Sequence, residues 1–101
     1  MLLKLFRVTR EDKIDWDEFD EFVVAAHSAS EARLVHPWGK SRMRVWDPHE
    51  GWLMLLHDGR TEQCYSHGWT QNVSELKVEC VGTASDNLKN GDVICKSFNA
   101  G

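Results

Sequence analysis

Eleven residues near the start of the chain, Glu11 to Glu21, read EDKIDWDEFDE: seven acids, one base, and Ile14, Trp16 and Phe19 set among them. A buried strand resists seven carboxylates, because each unpaired ion is costly to take out of water. A purely solvated loop has little use for Trp and Phe. The pattern therefore points to an exposed acidic face with apolar anchors, in which Asp15, Trp16, Asp17, Glu18 and Phe19 meet a basic partner. Two other readings of the same residues are a plain solvated connection and a decoy that copies the charge of a nucleic-acid backbone.

A basic counterpart follows. No acid occurs from Ala32 to Trp46, while Arg33, His36, Lys40, Arg42 and Arg44 fall there beside Trp38 and Trp46. Cations interleaved with aromatics can hold single-stranded nucleic acid by phosphate contact and base stacking. The simpler reading makes Arg42 and Arg44 the solvent face of one strand, paired with the acidic segment. Cys64 and His67 form one C-x-x-H pair, with His57 nearby, but a tetrahedral metal site usually needs a second close pair. Neither a metal nor a cofactor is expected. Cys64 or Ser66 beside His67 makes a nucleophilic dyad on paper only, with no orienting acid and no oxyanion hole in view. No phosphate-binding loop, dinucleotide fingerprint, G-x-S-x-G or H-E-x-x-H occurs, so the chain reads as no enzyme and no catalytic residue is assigned.

The elements that would position these groups fit one domain over residues 1–101. Leu2–Thr9 reads as a strand, as do Phe22–Ala26, Trp52–Leu56, Thr61–Ser66, Glu75–Val81 and Asp92–Asn99. Ser41–Asp47 alternates, with Met43 and Val45 against Arg42 and Arg44. Ser28 and Glu31 stand at capping-box spacing, which starts a short helix that Pro37 stops. Ala29, Ala32 and Val35 share its apolar face and Arg33 points away. His57-Asp58-Gly59-Arg60 reads as a hairpin loop with glycine where a positive φ is needed. Cys80 is expected to face inward with Leu76 and Val78, and Ser85–Lys89 to form a single helical turn. The expected fold is α+β: a single mostly antiparallel β-sheet with one short helix on a face.

Composition bounds the partners. The formal charge is −4, yet the residues outside Glu11–Glu21 hold nine acids against eleven bases, so the chain is dipolar. A net-acidic chain is a poor non-specific binder of nucleic acid. No run approaches transmembrane length, and no membrane partner is expected. Nothing at the N-terminus resembles a signal peptide. Three cysteines at positions 64, 80 and 95 suit reduced thiols in a cytoplasm. Trp46, Trp52, Trp69, Met54, Leu53, Leu55 and Leu56 are many large groups for a small core. The hairpin that carries Trp52 and Leu55 is therefore expected to extend the sheet and offer apolar surface to a homodimer or to the partner.

Several segments share a further pattern: Leu5-Phe6-Arg7-Val8-Thr9-Arg10, Asp17-Glu18-Phe19-Asp20, Phe22-Val23-Val24-Ala25-Ala26, Ser30-Glu31-Ala32-Arg33 and His36-Pro37. Val81-Gly82-Thr83-Ala84 and the closing Val93-Ile94-Cys95-Lys96-Ser97-Phe98-Asn99-Ala100-Gly101 continue it. Together they cover roughly a third of the chain and resemble a group of small bacteriophage and prophage proteins. Residues 44–70 depart from that pattern. The resemblance carries no site residue over. It implies a protein in the host cytoplasm that binds a host protein or defence complex, in the manner of inhibitors of bacterial immunity such as anti-CRISPR proteins.

Overall fold

The computed structural model describes residues 3–11, 18–38, 44–63, 69, 70 and 72–99. Strand β1 (Lys4–Thr9) pairs antiparallel with β2 (Glu18–Ala26), which continues through the helix α1 (Ala29–Arg33). A hairpin series follows, β3 (Arg44–Asp47), β4 (Gly51–Leu55) and β5 (Thr61–Gln63). A 3-10 turn over Val73–Glu75 leads into β6 (Lys77–Thr83), and β7 (Val93–Asn99) closes the described chain. The strands form two antiparallel sheets among the described residues, one in the order β6-β1-β2-β7 and one in the order β3-β4-β5.

The second sheet corrects the expectation of a single one. Strict alternation along β4 puts Trp52 and Met54 on one face, and Trp46 lies directly opposite Trp52 on β3. These wide side chains bury best against another apolar face. They are packed onto the cluster that Phe6, Val8, Phe22, Val24 and Ala26 make on β1 and β2, with Ala32, Trp69, Val73 and Leu76 completing it. The hairpin thus caps the first sheet and does not lengthen it. Trp52, 1% exposed, supplies that cap, while on the opposite face of β4 Leu53 is buried and Leu55 half-buried. That takes Trp52 out of the apolar surface on which self-association was expected, while Leu55 keeps part of its side chain exposed.

Local signals hold the elements in place. The Ser28 Oγ accepts the Glu31 N–H at 3.2 Å, which satisfies one of the orphan donors of a five-residue helix. So short a helix persists through contact with the sheet, and Ala32 is fully buried there. Gly59 takes φ +89° in the β4–β5 loop, as the loop chemistry predicts. The β3–β4 turn is closed by Asp47, whose Oδ1 accepts from the N–H groups of His49 (2.8 Å) and Glu50 (2.9 Å). The Glu50 N–H first, then the His49 N–H, lowers the Asp47 carboxyl below its ordinary value.

Two expectations along the strands change. Cys80 pairs with Phe6 in register, yet it is exposed, because β6 is an edge strand. Strand β2 also begins four residues before Phe22 and takes in Glu18–Glu21. The reason is a bulge: Phe19 pairs with Phe98 and Glu21 with Ser97, so Asp20 is the extra residue. The bulge shifts the side-chain phase, and Phe19 joins Phe22 and Val24 in the core.

Candidate functional site

Antiparallel pairing brings four chain segments to one end of the first sheet. Strand β1 ends there with Thr9, β2 starts there with Glu18, β6 starts there with Lys77, and β7 ends there opposite Glu18 and Phe19. Glu11, Glu18 and Glu21, close together in the sequence, therefore share this end with Glu75, which comes from a distant part of the chain. Asp15, Trp16 and Asp17 lie outside the described residues.

Arg10 organises this end. Its side chain is 5% exposed and sits 3.7 Å from the Glu18 carboxylate. Its Nη1 donates to the Phe19 carbonyl at 3.4 Å, and its guanidinium lies 5.7 Å from the centre of the Trp69 ring. Its own N–H donates to the Asp20 carbonyl at 3.2 Å, which ties the bulge to the end of β1. These contacts explain how an acidic segment enters a strand: Glu18 is matched by Arg10, Asp20 falls at the bulge, and Glu21 points to the half-exposed outer face. One oxygen of Asp20, Oδ1, is shielded from solvent with no hydrogen-bond partner among the described residues.

Beside Arg10 opens a cleft of about 310 Å³ lined by Arg10, Glu11, Thr70, Asn72, Glu75 and Leu76. Its far wall is held by several bonds. Trp52 Nε1 donates to the Thr70 carbonyl at 2.9 Å, and the Thr70 Oγ1 accepts the Asn72 N–H at 3.0 Å. Arg33 reaches the 3-10 turn from α1 and donates to the carbonyls of Val73 (2.9 Å), Ser74 (3.2 Å) and Leu76 (2.5 Å).

The aromatic part of the expected partner surface is redrawn. Phe19 is 2% exposed, so its ring is a core group and cannot serve as an anchor in this fold. Phe98 meets it at a tilt of 50°, with 4.9 Å between ring centres, and remains 46% exposed. Trp38 meets the Phe19 ring edge-on at 5.3 Å, and the Lys96 ammonium lies 4.8 Å from the Trp38 ring and 5.6 Å from the Phe19 ring. Phe98 escaped the sequence reading because nothing local marks it. Its importance comes from lying across from Phe19, about eighty residues away in the chain. Trp52 is likewise a core group, with ring centres 5.3 Å from Trp46 and 5.0 Å from His36. Glu18 does belong to the acidic end, and Leu55 lies at the far end of β4 in the other sheet.

The basic and aromatic reading loses its described members to contacts inside the molecule. Arg33, half-buried, reaches to the carbonyls of the 3-10 turn. Trp38 packs with Phe19 and Lys96, and Trp46 with Trp52. His36 is 2% exposed, and its Nδ1 accepts the Trp38 N–H at 3.1 Å, which leaves the ring proton on Nε2. Lys40 and Arg42 lie outside the described residues, and Arg44 is placed only as the first residue of β3. Among the described residues no three His, Cys, Asp or Glu side chains converge in the manner of a metal site, while Cys64 and His67 lie outside them. Also among the described residues, no helix is long and apolar enough to cross a membrane. Comparison of the chain with protein families, with curated proteins and with solved structures found no match.

Proposed function

We propose that this chain is a non-enzymatic binding protein whose acidic end covers a basic surface on another protein. The observation that carries the reading is the convergence of Glu11, Glu18, Glu21 and Glu75 on one end of the sheet, beside the half-exposed ring of Phe98. Asp12, Asp15 and Asp17, with Lys13 as the one base, stand between Glu11 and Glu18 in the sequence. A surface of this kind steers a cationic partner toward it and offers an aromatic contact once the two have met. Surfaces rich in Lys and Arg are above all those that hold nucleic acid. The finer reading follows: a phage-derived inhibitor that occupies such a surface in a bacterial nucleic-acid-dependent defence complex such as CRISPR–Cas. The resemblance of the chain ends to phage proteins supports that step by analogy.

Charge reversal tests the reading, provided that it spares Glu18. A lysine there would face the buried Arg10 and damage the fold. Asp15→Lys, Asp17→Lys and Glu21→Lys together should slow association with the partner and flatten its dependence on salt. Association that keeps its rate and salt dependence in this variant would remove the acidic end from the interface.

A further inference from the structure

We infer that the cleft beside Arg10 receives one arginine side chain of the basic partner. The inference rests on reading the acidic end as a protein-binding surface, and it names the group that surface is built to recognise.

The charges around the cleft select a cation. Arg10 lies in its wall, but that guanidinium faces the Glu18 carboxylate at 3.7 Å and the Phe19 carbonyl at 3.4 Å. Glu11 and Glu75 also line the cleft, are exposed, and form no ion pair among the described residues. A phosphate or carboxylate ligand would meet two acids with no ion-pair partner among the described residues and a cation already engaged. A cationic ligand would meet two carboxylates and the Asn72 carboxamide.

Shape and chemistry then favour guanidinium over ammonium. The volume of about 310 Å³ lies at the lower end for small-molecule sites, which suits one long side chain better than a cofactor. Leu76 gives the methylene stem an apolar wall. The planar fork of a guanidinium can bond carboxylates through paired N–H groups, whereas an ammonium acts as a point charge. The receiving wall is set in advance by the bonds from Trp52 to Thr70, from Asn72 to Thr70 and from Arg33 to the 3-10 turn, so little has to be ordered on binding.

The test is an NMR titration of the full chain with arginine blocked at both ends, with blocked lysine run in parallel. The expected result is saturable shifts of the Asn72 side-chain amide and the backbone amides of residues 72–76, with half-saturation on the order of millimolar. Blocked lysine should bind roughly fivefold more weakly, the difference expected for one charge-assisted hydrogen bond in water. Glu11→Gln with Glu75→Gln should abolish the shifts, and both positions are exposed enough to leave the fold intact. Glu21→Gln, outside the cleft, should leave them unchanged. Shifts that spread evenly over all acidic residues, that are equal for the two ligands, or that survive the double substitution would overturn the inference. If the cleft fails this titration while charge reversal at Asp15, Asp17 and Glu21 still abolishes partner binding, the arginine inference falls alone. If arginine binds as described while charge reversal leaves partner binding intact, the cleft stands and the broader reading falls.

Discussion

Replacing Trp52 separates a core role from an interface role. The side chain is 1% exposed, its Nε1 donates to the Thr70 carbonyl at 2.9 Å, and its ring meets those of His36 and Trp46 edge-on. Truncating a buried Trp to Ala costs about 3–5 kcal/mol through lost transfer energy and the cavity left behind. The orphaned Thr70 carbonyl adds about 1 kcal/mol. A loss of roughly 4–6 kcal/mol is most of what a domain of this size has, since total stabilities run about 5–15 kcal/mol. Trp52→Phe keeps most of the ring and loses the N–H bond, for roughly 1–2 kcal/mol. At 4–8 °C per kcal/mol that lowers the melting temperature by about 5–15 °C. Urea unfolding followed by far-UV circular dichroism measures both variants without relying on Trp emission, and sedimentation equilibrium on the same samples gives their mass. A Trp52→Ala protein that unfolds at the wild-type urea midpoint but has lost half its mass would refute the core assignment and restore the dimer contact.

Three further outcomes follow from the same geometry. Glu18→Lys sets an ammonium beside the buried Arg10 and should destabilise the fold by about 1–3 kcal/mol in urea, whereas Glu21→Lys on the outer face should cost under about 1 kcal/mol; equal effects would separate Glu18 from Arg10. Arg33→Ala strips one donor group from three carbonyls and should cost about 1.5–3 kcal/mol, with Arg33→Lys recovering part of it in thermal melts; an unchanged melt for Arg33→Ala would show that the turn holds itself. The Asp47 carboxyl is lowered by the Glu50 and His49 N–H groups, so its contribution to the hairpin is present above the ordinary carboxylate value and is lost as pH falls through the folded one. Carboxyl-carbon NMR should place its midpoint below 3.8, its ordinary value, and a midpoint at or above that value would contradict the turn.

Local chemistry was the legible part of this chain. The Ser28 cap, the glycine of the His57–Arg60 loop and the final strand expected over Asp92–Asn99 each depend on residues a few positions apart, and the structure has the cap, the positive-φ glycine and a strand over Val93–Asn99. What escaped depends on distant partners. Alternation in Glu75–Val81 puts Cys80 on the inner side but does not say that β6 lies at the sheet edge, where that side is uncovered. Periodicity in the hairpin marks Trp52 and Met54 as facing one way but not which surface they face, so a separate sheet looked like an extension. The bulge at Asp20 reverses the phase of β2 at one residue, which turns Phe19 inward and leaves Phe98 as the exposed ring. Arg33 was read from its own helix, although its guanidinium serves carbonyls forty residues further on. The acidic end was visible as composition, while its cleft needed Thr70, Asn72 and Glu75 brought against Arg10.

The proposed role of the acidic end is recognition of a basic protein. The most direct measurement is capture from bacterial lysate on immobilised chain, quantified by mass spectrometry for three proteins in parallel: wild type, the Asp15→Lys, Asp17→Lys, Glu21→Lys variant, and a control with Glu31→Lys and Glu62→Lys away from that end. The expected result is a discrete basic protein or complex retained by wild type and control, released by raised salt, and absent from the acidic-end variant. Retention of the same proteins by all three, or loss from the control as much as from the acidic-end variant, would contradict it.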